Sequence, residues 1–179
     1  MKKNEISKGL FLTVVIIMMS TLLFAQGDKA SRPSPPATAS GQVGAAKITI
    51  TYSSPAVKGR KVFGELVPYD KVWRAGANEA TIFETDKAIK VGGKEVPAGK
   101  YSLYILPTAG KWTVILNSET GQWGIKRSGE TTRDPAKDVA TVMVKPGKAS
   151  MMTEHLIYKV TTKGFSMAWE NTEVSVPVK

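Results

Sequence analysis

The chain has 179 residues, no cysteine and one histidine, and its 25 Lys and Arg against 15 Asp and Glu give a formal net charge of +10. Without cysteine there can be no disulfide, thiolate nucleophile, cysteine-ligated metal or lipid-modified N-terminal cysteine. A zinc site built from several His or Cys ligands would have only His155 to draw on, and neither G-x-x-x-x-G-K-[ST] nor G-x-G-x-x-G occurs, which excludes the common nucleotide-binding loops.

Lys2, Lys3 and Lys8 precede an apolar run from Leu10 to Phe24, broken only by Thr13, Ser20 and Thr21 and closed by Ala25. That order predicts a secretory signal over residues 1–25, cut after Ala25, and a periplasmic or secreted product. The run falls short of the ~18 to 20 residues a membrane-spanning helix needs, so no membrane span is expected after cleavage. Retention as an N-terminal anchor is the alternative. Cleavage would subtract three lysines and Glu5 from +10, leaving +8. The remaining lysines stand singly (Lys47, Lys58, Lys87, Lys100, Lys111) with acids between them, the pattern of a solvated surface and not of a nucleic-acid stripe. An acidic-ligand surface would require the fold to cluster them.

Residues 26–46 are dominated by Pro, Ser, Ala and Gly and read as a linker, which leaves 47–179 as one domain. In that domain apolar residues recur with period two, first in KITITYS (47–53). Similar segments follow at 81–85, 88–91, 101–106, 111–117, 138–146, 153–161, 164–170 and 172–178. Short strands at this spacing predict an all-β fold, an antiparallel β-sandwich or open barrel of about nine strands. Alternation places Ile48, Ile50, Val114, Leu116, Val142 and Val144 inward and Thr49, Thr113 and Thr141 on the opposite face. Gly92-Gly93 and Pro107–Gly110 are hairpin connections, and turns at Thr162–Gly164 and Asn171-Thr172 predict a three-stranded meander at the end. Helix is expected nowhere except for a turn or two near 68–78.

The segment GRKVFGELVPYDKVWRAGANEAT (59–81) resembles the signature of a family of exported bacterial proteins, domain of unknown function number 2911. The resemblance continues through VPAGKYSLYILP (96–107), KWTVILN (111–117) and QWG (122–124) and spans about Pro36 to the C-terminus. It implies export, mostly in bacteria of the Bacteroidetes type, and one compact domain. It implies no activity, cofactor or site.

A Ser-His-Asp triad would have to use His155, mid-strand between Glu154 and Leu156, and no G-x-S-x-G elbow is present. Paired-carboxylate chemistry is left open by Glu65, Asp70, Glu79 and Glu84. The signature block is where polar and aromatic residues concentrate outside a strand, and loops on a rigid sandwich commonly carry binding groups. Arg60, Tyr69, Trp73, Arg74, Asn78 and Glu79, with Trp123 if the two loops meet, are the candidate ligand-binding residues. Flat rings suit sugar faces, and Arg and Asn give directional hydrogen bonds. The competing reading is structural: Trp73, Val67 and Phe63 plug the core, Arg74 pairs with Glu79, Gly76 takes positive φ and Asn78 makes a tight turn. The expected function is an exported protein that binds a glycan or another cell-envelope component without metal or cofactor. A metal-independent hydrolase and an interaction module using a sheet edge are the alternatives.

Overall fold

A computed structural model describes residues 29–179. The segment read as a signal peptide lies outside them. The chain divides into Met1–Arg32, of which only 29–32 are described and include one 3-10 turn (Lys29–Ser31), and the compact unit Pro33–Lys179.

Among the described residues ten strands run in chain order: β1 (Pro36–Val43), β2 (Ala46–Ser53), β3 (Thr81–Thr85), β4 (Ile89–Val91), β5 (Lys94–Val96), β6 (Gly99–Leu106), β7 (Trp112–Asn117), β8 (Asp138–Val144), β9 (Gly147–Thr161) and β10 (Gly164–Pro177). Six form an antiparallel sheet ordered β1-β2-β3-β6-β7-β8, and β9–β10 and β4–β5 are separate hairpins. Among the described residues the only helical pieces are two 3-10 turns, so the all-β class holds in an open, barrel-like form.

The core lies between the inner face of the six-stranded sheet and the β9–β10 hairpin. Ile48, Ile50, Val114, Leu116, Val142 and Val144 all face it and are buried, as alternation required. From the hairpin side Leu156, Tyr158, Phe165, Met167 and Trp169 close against them. Each such side chain contributes roughly 1.5–3 kcal/mol by leaving water, which stabilises the fold without cross-links. A smaller cluster of Ala80, Tyr104 and Ile115 sits apart from that core, where the Gln122 side chain donates to the Tyr104 hydroxyl at 2.9 Å.

Four expectations are corrected. Residues 36–43 are not linker but β1, paired in register with β2 from Pro36↔Ser53 to Val43↔Ala46. An edge strand needs few large apolar residues, and Gly41 lets β1 approach β9, since a Cβ there would stand 3.0 Å from Val160. Lys94–Val96 is a further short strand, completing the hairpin across Gly92-Gly93. Asn171-Thr172 is no turn: β10 runs through it with a bulge, Glu170 taking a φ of 55°, so the chain ends in a two-stranded hairpin and not a three-stranded meander. No helical turn forms between 68 and 78.

Candidate ligand-binding cleft

The 54–80 segment is tied down by backbone pairing before any side chain is considered. The N–H groups of Val57 and Leu156 donate to Glu154 and Pro55 carbonyls at 2.8 and 2.9 Å, which docks its start on β9. Farther along, β3 begins at Thr81, opposite Leu103, and Trp73 pairs with β6 beyond Tyr104, exchanging backbone bonds of 2.8 and 2.9 Å with Ile105. Trp73 is thereby fixed like a strand residue although it lies in a loop.

The turn that follows is held from the core. The buried Ala75 carbonyl accepts from the Tyr158 hydroxyl at 2.8 Å and the Thr81 hydroxyl at 3.0 Å. Positive φ falls on Ala75 (53°) and Asn78 (56°), not on Gly76. Gly76 is needed for closeness instead: a Cβ there would lie 2.6 Å from Thr81 Oγ1. Asn78 caps outward, its side-chain amide donating to the Ser34 carbonyl at 3.0 Å.

The rings of this block are largely committed to packing. Phe63 sits 4.5 Å from Trp112, and Trp73 stacks on Trp169 with centroids 5.8 Å apart at 22°. The Trp73 indole N–H donates to the Gly76 carbonyl at 3.0 Å. Phe63 and Val67 are buried as the structural reading required.

Beside these rings opens a cleft of about 470 Å³, walled by the 60–77 segment on one side and by Gly124, Ile125 and Gly129 on the other. Its apolar surface includes Leu66, Val72, Ile125 and the two stacked tryptophans. Arg60, Lys71 and Arg74 supply its charge, and among the described residues no Asp or Glu lines it.

Arg60 reaches back to carbonyls of its own turn, Nε donating to Val57 at 2.9 Å and NH2 to Ala56 at 2.8 Å. Arg74 is half-buried. One guanidinium nitrogen donates to the Trp123 carbonyl at 3.2 Å, and the group lies 5.6 Å from the centre of that indole. Burial pushes its pKa below the ordinary value, and the charge of Glu79 acts against that shift. Gly124 permits the contact between the two loops, because a Cβ there would stand 2.8 Å from that of Arg74.

Of the seven candidate residues, the fold brings Arg60, Trp73 and Arg74 into the cleft wall. Trp123, 48% exposed, meets Arg74, and Glu79 influences the same cation. Asn78 serves the turn, and Tyr69, 38% exposed, packs its ring over Gly64. Lys71, Val72, Leu66, Ile125 and Trp169 were not legible as site residues. Lys71 and Leu66 at least belong to the signature block, whereas Trp169 is about a hundred positions away. Among the carboxylates, Glu65 pairs with Lys61 and Glu84 with Lys100 on the surface. His155 is an exposed strand residue. Among the described residues no group of three or more His, Cys, Asp or Glu could hold a metal ion, and no helix is long and apolar enough to cross a membrane.

The fold and the cleft define an open all-β sandwich whose loops at one end enclose a cationic, apolar-walled recess. The family model described as "Protein of unknown function (DUF2911)" matches residues 34–178, and the chain belongs to that family. No curated protein and no solved structure matches it.

Proposed function

We propose that this chain is a binding protein of the bacterial cell envelope, periplasmic or secreted, that holds a small envelope-derived ligand in the cleft between the 60–77 segment and residues 124–129. The single observation that carries this reading is the recess itself: about 470 Å³, mainly apolar on its walls, with Arg60, Lys71 and Arg74 among the residues that line it. A mainly apolar concavity with a few placed polar groups is the usual form of a small-molecule site. Binding is favoured over hydrolysis because none of Glu65, Asp70, Glu79 and Glu84 lines the cleft, so no carboxylate pair flanks a bound substrate. A stacked glycan is the weaker choice of ligand, since Trp73 is engaged by Trp169 and Arg74 lies against the Trp123 ring. Export is supported by the basic, apolar, small-residue order of residues 1–25.

The test is a thermal-shift screen of the chain against envelope glycans, small acids and lipid fragments, repeated on Leu66→Trp. Leu66 is exposed at the cleft, so an indole there obstructs the recess without emptying the core. Hits should lose their shift in the variant. Hits that bind Leu66→Trp undiminished, or no hits at all, would overturn the proposal.

A further inference from the structure

Three cations, Arg60, Lys71 and Arg74, come from different turns of one loop and meet around a recess whose other surface is aliphatic and aromatic. Among the described residues neither Arg60 nor Lys71 forms an ion pair with a carboxylate, so neither charge is neutralised within the fold. Arg60 spends two donors on carbonyls and has the rest of its five-donor fork available. Glu79 faces Arg74 electrostatically, so that cation is partly balanced and the surplus rests chiefly on the other two.

A second observation is independent of these charges. Trp169, 1% exposed, belongs to the wall of the same recess, and its indole N–H is buried with no hydrogen-bond partner among the described residues. Indole nitrogen can only donate, and an unpaired buried donor costs roughly 1–3 kcal/mol. The other three tryptophans are either bonded through that atom, as Trp73 and Trp112 are, or exposed, as Trp123 is. The recess thus pairs the donors of Arg60, Lys71 and Arg74 with an apolar surface of which the Trp169 ring is part.

Resting on the cleft reading above, we infer that the ligand is an organic anion, a carboxylate or phosphate group on a compact apolar body, with its charged end held by Arg60, Lys71 and Arg74. Guanidinium forks match both oxyanions in bidentate geometry, and an ammonium adds a point charge. The aliphatic surfaces of Leu66, Val72 and Ile125 take the apolar body. The Trp169 indole, in the wall of the cleft, reports occupancy of the recess.

The experiment titrates the chain with matched probes of one chain length: octanoate, octyl phosphate, octanamide and octanol. Binding is read by calorimetry and by the Trp169 indole N–H resonance, assigned with Trp169→Phe. The anions should bind at least tenfold more tightly than octanamide, weaken as salt rises, and shift the Trp169 resonance. Lys71→Gln should lose several-fold in affinity for the anions and nothing for octanamide. The Lys71 side chain makes no hydrogen bond or ion pair among the described residues, so an unchanged melting temperature is expected, and Arg60→Gln provides a second variant. Which anion binds more tightly identifies the headgroup. Equal binding of octanoate and octanamide, both abolished by Leu66→Trp, would overturn the anion inference and leave the cleft reading standing. Failure of all four probes, or binding indifferent to Leu66→Trp, would overturn both.

Discussion

The Ala75 carbonyl gives the sharpest test of how the candidate loop is held. It is buried and accepts two hydroxyl donors, Tyr158 from β9 and Thr81 from β3. Removing either donor alone, by Tyr158→Phe or Thr81→Val, deletes one bond but leaves the carbonyl satisfied by the other. Each single change should then cost about 0.5–1.5 kcal/mol, the net value of a protein hydrogen bond. The double variant strands the acceptor in a dry interior and adds its desolvation penalty, about 1–3 kcal/mol beyond the sum of the singles. Urea unfolding at neutral pH measures all four corners of the cycle. Additivity to within about 0.5 kcal/mol would refute the reasoning, because it would mean that the two donors act independently or that water reaches the carbonyl.

Alkaline pH probes the same tyrosine. Burial, with help from Tyr52, raises the Tyr158 pKa well above its ordinary 10.0, so the folded chain keeps a proton that the unfolded chain releases. Stability should hold below pH of about 10 and fall as pH rises beyond it, and Tyr158→Phe should flatten that fall in a melting series from pH 8 to 11. In the β4–β5 turn, Gly92 and Gly93 both have positive φ, but a Cβ on Gly92 would lie 2.1 Å from Val142 while one on Gly93 meets nothing. Gly93→Ala should cost about 1–2 kcal/mol for backbone strain alone, and Gly92→Ala a further ~1–3 kcal/mol for the clash; equal losses on denaturation would show that the hairpin is not seated on β8. Asp138 takes both the Arg133 guanidinium and the Asn117 amide, so Asp138→Ala leaves a mostly buried cation with only the weaker influence of Asp134 and should cost about 3 kcal/mol. Arg133→Met with Asp138→Leu should recover much of that loss in the same melt.

The fold was legible wherever one strand face meets the core and the other meets water. The period-two pattern of β2, β7 and β8 placed every inward residue correctly because a one-residue slip would have buried threonines. It failed for β1, where the burial pattern alternates between exposed and half-buried and the strand is held by backbone bonds to β2, a contribution that composition does not reveal. It failed again at Asn171-Thr172, because a bulge and a turn use the same residue types and only long-range pairing tells them apart. The signature block announced a functional loop through its density of Arg, Trp and Asn. Which of those residues face the recess was hidden, since Asn78 and Tyr69 are spent on turn geometry and Trp169 enters from another element.

The recess exists because two strands are irregular where the cleft forms. β3 begins only at Thr81, and the ladder position beyond it on β6, at Ile105, is filled by Trp73 arriving from a loop. β10 is broken by the bulge at Glu170, whose carboxylate accepts from the Val62 N–H at 3.3 Å, and the neighbouring residue is Trp169. Had both strands continued regularly, their side chains would have alternated across the sheet and closed the sandwich with ordinary core packing. Instead each irregularity presents an indole, and the two stack to form part of the cleft wall. The aliphatic and cationic residues of the 60–77 segment surround this pair, and that segment belongs to the connection between the adjacent antiparallel strands β2 and β3. The position of the cleft thus follows from where the ladders fail, and its chemistry from the residues that replace them.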